Sequence, residues 1–378
     1  MKTDKGEHFT DLNLKPHGTK SVDSRGRKYS IKEDPYRSPF QRDRDRIIHS
    51  KAFRRLEYKT QVFVNHVGDH YRTRLTHSIE VSQIARTIAT SLMVNQDLVE
   101  AIALGHDLGH TPFGHSGEDT LNQLLTEGFR HWEQGVRVVE EVEDQYKYKG
   151  HRGLNLTWEV REGIYKHTSW RESLRKNIYT YLEPEKPPSL EGQIVAYADQ
   201  IAFISHDIDD GLRSELITEK GLSNLNIYDK LKDGDKPWYR KIIPFLVTDL
   251  IENTKKEIDR NKIVSSEDVR NKKDFTVGFS PETKNLKEEI WDHLLENFYR
   301  NREVLKLRND GQKIVRSLFE KYMEFPDLLP ESLKKKINKS GKENKVKQKE
   351  KFIRDYIAGM TDRFAFQTYN KLFPDKED

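Results

Sequence analysis

One short stretch of the sequence, residues 104–115, concentrates side chains that can bind metal ions or move protons. It reads LGHDLGHTPFGH and follows an almost wholly apolar run, residues 98–104, which predicts a helix buried on most sides. A carboxylate beside such a helix needs a partner, because its desolvation costs several kcal/mol. Two interpretations are open: a buried His106–Asp107 hydrogen bond near a helix end capped by Gly109, or a divalent metal bound by both side chains.

A second histidine lies on the inward face of the preceding predicted helix. His77 shares an apolar stripe, at steps of four, three, four and four, with Val81, Ile84, Ile88 and Leu92. A lone histidine on such a stripe is more often a structural core residue than a ligand. However, His106 and Asp107 follow after one helix and a short turn, in which Asp97 is the predicted N-cap. Two consecutive antiparallel helices would bring the three side chains close together.

The fourth candidate ligand is Asp199, in the most apolar part of a long predicted helix, residues 194–204. By itself, this carboxylate is equally well explained by a buried hydrogen bond. Together with His77, His106 and Asp107 it completes a set of two imidazoles and two carboxylates, which suits Mn²⁺, Fe²⁺, Ni²⁺, Zn²⁺ or Mg²⁺. Neighbours on a helix point about 100° apart, so the adjacent histidine and aspartate can share an ion only at the helix end.

Composition excludes several classes of chemistry. The 378-residue chain contains no cysteine, so disulfides, thiolate metal sites and a cysteine nucleophile are excluded. Its 66 basic and 62 acidic residues give a net charge of +4, so no global field demands a polyanionic partner. The sequence shows neither a secretory signal nor an 18-residue apolar run, which predicts a cytoplasmic protein without membrane association.

Helical periodicity without a convincing strand predicts an all-α fold of about 15 helices, at typical helix and loop lengths. Residues 1–40 are polar and rich in turn formers, and we interpret them as an N-terminal arm. Residues 41–212 carry the candidate site, and residues 213–378 form a helical region that packs on this core. Within the latter, the lysine-rich residues 334–351 predict a solvated basic loop, with contact to a polyanion such as single-stranded nucleic acid as the alternative.

The combined motifs resemble those of the HD superfamily of metal-dependent phosphohydrolases, and in particular the bacterial dGTP triphosphohydrolase-like proteins. The resemblance covers roughly residues 35–212 and 352–370, and no motif is matched in residues 213–350. It is carried by RDRDRIIHS (42–50), FRRL (53–56), KTQV (59–62), RLTHS (74–78), residues 105–115, HWEQ (131–134), residues 199–210 and DYIAGMTDR (355–363). It implies an HD-domain helical bundle with additional C-terminal helices.

The resemblance also implies the reaction: hydrolysis of dNTPs, dGTP among them, to a deoxynucleoside and inorganic triphosphate. The metal is then held by a set of four ligands, and water bound to it attacks the α-phosphorus. Arg74 is implied to contact the α-phosphate side of the substrate. The ligands implied are His77, His106, Asp107 and Asp199.

Three further residues are implied to serve proton transfer. His115, His131 or both would protonate the departing 5′-oxygen, and Glu118 would orient them. The resemblance leaves open which histidine donates the proton. It also leaves open whether His110 supports the metal ligands or is simply structural.

The sugar side of the substrate is assigned in the same way. Gln61 matches a glutamine that bonds the 3′-hydroxyl, and Asp207 is a second acceptor for that hydroxyl. Phe203 stands where relatives often carry tyrosine, so a hydrogen bond from that position is lost. Its ring would still stack below the deoxyribose and exclude a 2′-hydroxyl.

Relatives assemble as tetramers or hexamers, and the related vertebrate SAM- and HD-domain enzyme is controlled by nucleotides. The resemblance therefore predicts a homo-oligomer and an activating dNTP. Two alternatives remain. One is an HD nucleotidase or phosphodiesterase that acts on monophosphates or cyclic nucleotides, and the other is a non-catalytic protein that binds nucleotides or nucleic acid.

Overall fold

The computed structural model describes residues 8–61, 72–146, 150–168, 178–234, 237–339 and 345–374. Within these ranges the chain forms seventeen α-helices, short 3₁₀ and π turns and two isolated β-bridges, but no β-strand. The predicted all-α fold is confirmed. None of the described helices is both long and apolar enough to cross a membrane, and the cytoplasmic location stays a prediction.

Eight helices precede residue 214 and include those that carry the candidate ligands. They are α1 (Pro39–Ile48), α2 (Lys51–Arg55), α3 (Arg74–Leu92), α4 (Gln96–Gly105), α5 (Gly114–Leu124), α6 (His131–Arg137), α7 (Trp158–Lys166) and α8 (Leu190–Arg213). Nine helices follow. They are α9 (Glu219–Leu222), α10 (Asn226–Leu231), α11 (Ile242–Arg260), α12 (Ser266–Arg270), α13 (Pro281–Leu294), α14 (Arg302–Glu324), α15 (Glu331–Lys339), α16 (Lys345–Ala358) and α17 (Asp362–Leu372).

Helix α4 is the centre of the main hydrophobic core. It packs against α1, α3, α7 and α8, because apolar side chains lie around nearly its whole circumference. Its N-cap is Asn95, whose side chain accepts a hydrogen bond from the Leu98 amide at 3.1 Å. The prediction of Asp97 as the N-cap is therefore wrong by two residues. Asp97 lies instead in the first turn, where a carboxylate is favoured by the helix dipole.

A second, smaller hydrophobic cluster joins the C-terminal helices to the site-bearing part of the chain. Helix α14 packs against α5, α16 and α17, and the cluster buries Phe113, Phe129, Leu318 and Ile353. Phe113 belongs to the HTPFGH segment, so the C-terminal helices pack directly behind the candidate site.

Residues 334–351 were predicted to form a basic loop, and this prediction is wrong for residues 334–339 and 345–351, which the structure describes as helical. Helix α15 covers residues 331–339 and helix α16 begins at residue 345. Lysine has a good helix propensity, and one buried side chain, Ile337, anchors α15. A single anchor in a lysine-rich stretch is too sparse a pattern to be recognised as an amphipathic helix.

The N-terminal arm is anchored on its own chain by polar contacts. The amide and hydroxyl of Thr19 donate to the Glu191 carboxylate at 2.7 and 2.9 Å. Asn95 in turn donates to the Thr19 carbonyl at 2.9 Å. These contacts attach the arm to α8 and to the N-cap of α4.

The C-terminal segment 358–362 holds the chain on both sides of the candidate site. The Asp362 carboxylate accepts from the Thr60 amide at 3.0 Å and from the Phe113 amide at 2.9 Å. The buried Lys59 ammonium donates to the carbonyls of Ala358 at 2.8 Å and His110 at 2.5 Å. We call this set of contacts the C-terminal clamp. It explains why the late motif DYIAGMTDR accompanies the metal-binding motifs.

Lys59 makes stability depend on pH. Burial lowers the pKa of its ammonium group from 10.5 to about 7. Between these two values the unfolded chain holds a proton that the folded chain lacks, so the free energy of unfolding rises with pH across the window. We expect the wild type to gain up to about 1.4 kcal/mol per pH unit relative to Lys59→Met. Urea titrations of both proteins at several pH values measure this difference, and a difference that does not change with pH would contradict the prediction.

Candidate active site

The four predicted metal ligands come together from three helices. His77 lies in the first turn of α3, His106 and Asp107 directly follow α4, and Asp199 lies in the middle of α8. His77 Nε2 is 2.9 Å from Asp199 Oδ1. His106 Nε2 is 3.4 Å from Asp107 Oδ1 and 3.7 Å from Asp199 Oδ1. Candidate ligand atoms of His77, His106 and Asp107 all lie within 4.8 Å of one another.

The hydrogen bonding of His106 fits a metal ion at this cluster. His106 Nδ1 lies 2.6 Å from the Ala103 carbonyl oxygen. Because a carbonyl oxygen can only accept, Nδ1 carries the hydrogen and donates this hydrogen bond. His106 Nε2 is buried and has no hydrogen-bond partner among the described residues. It points its lone pair toward two carboxylates, an arrangement that is unfavourable without a cation between them. Two imidazoles and two carboxylates suit a borderline or hard divalent ion.

Two residues behind His77 support it, and sequence reasoning did not assign them a role. His77 Nδ1 lies 3.3 Å from His206 Nδ1, and His206 Nε2 lies 2.6 Å from the Glu80 carboxylate. Such partners fix the tautomer and the ring orientation of a metal-binding histidine. The available signal is helical spacing, since Glu80 follows His77 by one turn and His206 follows Asp199 by two.

Arg74 connects the ligand cluster with the HTPFGH segment. Its Nη1 donates to Asp107 Oδ2 at 3.2 Å, and the side chain is only 2% exposed. Burial alone would raise the pKa of the Asp107 carboxyl, but His106, Arg74 and His110 hold this pKa well below its usual range. Gly114 permits the arrangement, because a Cβ atom there would lie 2.8 Å from Arg74 Nη2.

A histidine–glutamate group adjoins the cluster. Glu118 Oε2 lies 2.8 Å from His131 Nδ1 and 3.5 Å from His115 Nδ1, and Glu118 Oε1 accepts from the His131 amide at 3.0 Å. Burial would raise the pKa of Glu118, but His131 and His115 hold it well below its usual range, so Glu118 stays ionised. His131 is buried, whereas the His115 side chain is 61% exposed.

Two further histidines join this group to the metal ligands. His110 Nε2 lies 3.2 Å from Asp107 Oδ1, and its ring stacks on His131 with centroids 3.8 Å apart. His110 thus contacts both the proposed metal ligand Asp107 and His131 of the histidine–glutamate group. His167 was missed, although its Nε2 lies 3.2 Å from His131 Nε2 and its ring centroid 5.1 Å from that of His106. Sequence periodicity could not have found it, because the preceding helix, WEVREGIYK, has four charged residues among nine.

Gly109 does not cap a helix through a left-handed conformation. A Cβ atom at this position would lie 1.9 Å from the His131 carbonyl oxygen and 2.3 Å from the Gly135 amide nitrogen. The absent side chain therefore lets α6 approach the HDLGH segment closely. Gly109 is therefore not the predicted helix cap but a spacer that sets the position of His131.

The predicted sugar-side residues lie in two places. Gln61 lies near Arg74, since its carbonyl oxygen is 3.3 Å from a Cβ built at Gly114, and its side-chain Oε1 is buried without a partner among the described residues. Phe203 and Asp207 lie on α8, where Asp207 accepts a hydrogen bond from the hydroxyl of Tyr299.

Tyr299 was not identified from the sequence. Its ring lies nearly parallel to Phe203, with centroids 6.2 Å apart and an interplanar angle of 9°. Its hydroxyl meets Asp207, so a tyrosine hydroxyl is present although position 203 lacks one. Burial and the nearby Asp210 raise the pKa of Asp207 well above its usual range.

Comparisons with known proteins agree with this geometry. Residues 74–204 match the family model "HD domain", and residues 277–371 match "Phosphohydrolase-associated domain". The fold and site thus define a metal-dependent phosphohydrolase of the HD superfamily. The chain belongs, within that class, to the deoxyguanosinetriphosphate triphosphohydrolase-like proteins, as the following relatives show.

Relatives with that name cover nearly the whole chain. The protein from Geobacter metallireducens is 45% identical over 94% of this chain and 93% of its own length. Those from Rickettsia bellii and Bordetella pertussis are each 43% identical, over 95% and 93% of this chain and 98% and 94% of their own lengths. A crystal structure of a hypothetical protein from Aquifex aeolicus is 18% identical over 80% of this chain and 79% of its own, with a TM-score of 0.29, too low to carry an argument.

Proposed function

We propose that this phosphohydrolase hydrolyses dNTPs, dGTP among them, to a deoxynucleoside and inorganic triphosphate. The observation that carries the proposal is the position of Arg74. Its buried guanidinium, bonded to Asp107, lies between the ligand cluster and Gly114. A phosphate oxygen at the cluster would therefore meet a fixed cation before any conformational change. The names of the relatives support a deoxynucleoside triphosphate as substrate.

The residues divide the chemistry among them. A divalent ion held by His77, His106, Asp107 and Asp199 would supply a Lewis acid and lower the pKa of water. Arg74 neutralises charge at the α-phosphate, where phosphorus–oxygen cleavage takes place.

His115 is the better-placed donor of a proton to the departing 5′-oxygen. Its exposed ring can reach a bound substrate, and its Nδ1 lies 3.5 Å from the carboxylate of the ionised Glu118. His131 is less well placed to donate this proton, because its two ring nitrogens face Glu118 and His167. We therefore assign His131 to positioning Glu118.

Product analysis tests the reaction. Metal-loaded protein is incubated with each dNTP, and the products are separated by ion chromatography. Inorganic triphosphate and a deoxynucleoside in equal amounts are expected. Orthophosphate or a nucleoside monophosphate would contradict the proposal and favour the nucleotidase or phosphodiesterase alternative. An Asp107→Ala preparation, purified in parallel, controls for contaminating phosphatases.

Tyr299 and Asp207 are proposed to hold the sugar 3′-hydroxyl, together with Gln61. The ring of Phe203 would pack against the deoxyribose and leave no room for a 2′-hydroxyl. The Tyr299 hydroxyl then supplies the group that position 203 lacks, by orienting the Asp207 carboxyl.

Tyr299→Phe tests this arrangement. Removal of the hydroxyl takes away the hydrogen bond that orients the Asp207 carboxyl, a bond that typically contributes about 1 kcal/mol, so we expect kcat/KM for a dNTP to fall up to about tenfold. Metal content should not change. Steady-state kinetics measure the effect, with Tyr228→Phe as the control, because the Tyr228 ring packs against Trp238 and contacts none of the proposed site residues in the described part of the chain. Equal kcat/KM for Tyr299→Phe and wild type would rule out this role.

We also propose that the protein assembles as a tetramer or hexamer and that a second dNTP activates it. We expect light scattering at micromolar concentration to give a mass several times that of one chain. We also expect higher rates with mixed dNTPs than with any single dNTP. A monomer would end the first proposal, and equal rates would end the second.

A further inference from the structure

The last turn of α16 contacts both segments that bring two histidines of the candidate site together. The Ala358 carbonyl accepts from the Lys59 ammonium at 2.8 Å, and the same ammonium donates to the His110 carbonyl at 2.5 Å. One turn earlier on α16, Asp355 contacts α6, the helix that begins with His131. The rings of His110 and His131 stack with centroids 3.8 Å apart. One helix end thus holds both segments.

Asp355 binds α6 with both of its carboxylate oxygens. Oδ1 accepts from Gln134 Nε2 at 3.1 Å and from Arg137 Nε at 2.7 Å, and Oδ2 accepts from Arg137 Nη2 at 2.6 Å. The side chains of this ion pair are each only 10% exposed. Burial would raise the pKa of the Asp355 carboxyl, but Arg137, Arg354 and Gln134 hold this pKa below its ordinary value. A forked bond between a guanidinium and a carboxylate fixes orientation as well as distance.

Helix α6 depends on such tertiary contacts for its position. It has seven residues, too few for a stable isolated helix, and no side chain caps its N-terminus. Its apolar side chains pack in the main hydrophobic core, but apolar contact is not directional. His131, Gln134 and Arg137 follow one another at steps of three, so they lie along one side of the helix. Asp355 therefore acts on the side of α6 that carries His131.

A small displacement of α6 is enough to disturb the histidine–glutamate group. His131 Nδ1 lies 2.8 Å from Glu118 Oε2, and the His131 amide donates to Glu118 Oε1 at 3.0 Å. Hydrogen bonds of this kind are weak beyond about 3.2 Å. Glu118 also contacts His115, so a displacement of His131 reaches the proposed proton donor. A misplacement of about 1 Å in a catalytic group can lower turnover by about 10²-fold.

We propose that Asp355 is a positioning residue that fixes His131 against Glu118 through α6. The pair that does so joins Arg137 to a residue 218 positions later in the sequence. It accounts for the first residue of the late motif DYIAGMTDR, as the C-terminal clamp accounts for the Asp362 carboxylate near its end. The expected effect on turnover rests on the proposed function, whereas the expected effect on the position of His131 does not.

Nuclear magnetic resonance of protein labelled with ¹⁵N-histidine tests the positioning directly. Asp355→Asn keeps the size of the side chain but removes the charge and one acceptor of the fork. We expect it to shift or broaden the signal of the His131 Nδ1–H group, which is assigned by its absence from His131→Ala. Arg137→Lys keeps the charge but cannot form the fork, so it should have the same effect and replaces Asp355→Asn if that variant does not fold.

A matched control separates positioning from a general loss of stability. Asp43 is also a buried carboxylate paired with an arginine, Arg27, but it lies on α1 and contacts no residue of α6 in the described part of the chain. Asp43→Asn should destabilise the protein and leave the His131 signal unchanged. A His131 signal that is unchanged in both Asp355→Asn and Arg137→Lys, or that changes equally in Asp43→Asn, would overturn the proposal.

Steady-state kinetics measure the consequence for the reaction. In metal-loaded Asp355→Asn, kcat for a dNTP should fall about tenfold or more, whereas KM and metal content should remain those of wild type because the phosphate contacts are unchanged. Asp43→Asn should retain the wild-type kcat. A His131 signal that moves without a change in kcat would support the positioning and count against the proposed role of the histidine–glutamate group. Failure of the positioning and failure of the proposed function are therefore distinguishable.

Discussion

Replacement of Asp107 by alanine is expected to lower turnover by orders of magnitude and to remove the bound metal. This carboxylate has two roles in the structure: Oδ1 faces His106 and His110, and Oδ2 accepts from Arg74. Its loss removes one ligand and leaves a buried guanidinium without its carboxylate, so metal affinity and phosphate binding fail together. Metal content per folded protein and kcat measure the two effects.

A matched control separates metal loss from unfolding. Asp43 is also a buried carboxylate, and it accepts from the Thr157 amide at 2.8 Å and from the Thr157 hydroxyl at 2.6 Å. Asp43→Ala should lower the free energy of unfolding but retain metal in the folded fraction. Addition of a chelator should lower the Tm of wild type and leave that of Asp107→Ala unchanged, because only wild type binds the ion. Full activity of Asp107→Ala would remove the metal hypothesis.

His115→Ala is expected to lower kcat by about 10²–10⁴-fold, the usual contribution of a positioned acid or base, with metal content unchanged. The exposed ring is the one that can reach the leaving oxygen, and its Nδ1 lies 3.5 Å from the ionised Glu118 carboxylate. His131→Ala should also reduce kcat, since it removes the partner that orients Glu118. Rapid-mixing kinetics with metal-loaded variants measure both effects.

Chemical rescue distinguishes the two histidines. Truncation of the exposed His115 leaves a space open to solvent, so added imidazole should restore part of the lost activity. Truncation of the buried His131 leaves a space beneath His110 and Trp132, which imidazole cannot enter from solvent. Rescue of His131→Ala alone would reverse the two assignments, and loss of metal from His115→Ala would exclude its role as an acid.

The C-terminal clamp gives the distant helices a part in the site. Thr60 and Phe113 flank Arg74 and Gly114 in the structure, and both are fixed by one carboxylate, that of Asp362. The clamp joins residues 302 positions apart in sequence. Deletion of α17 should therefore affect the active site and not only global stability.

The sequence by itself determined the helical class and the four candidate ligands. A buried helix has a regular apolar period, so a histidine or carboxylate on that period is visible as an exception. His77 and Asp199 were found in this way, and the adjacency of His106 and Asp107 placed them at a helix end. The sequence misled where the pattern was sparse, as in the lysine-rich helices α15 and α16, and where a glycine serves close packing, as at Gly109.

Only the tertiary structure decided how the groups around these ligands are connected. His167 meets His131, His206 meets His77, and Tyr299 meets Asp207 across 92 positions of sequence. No regular spacing marks His167 or Tyr299, and the helical spacing of His206 from Asp199 does not identify His77 as its partner. Their pairing follows from which helix faces meet, and that depends on the packing of the whole chain rather than on the preference of any one segment.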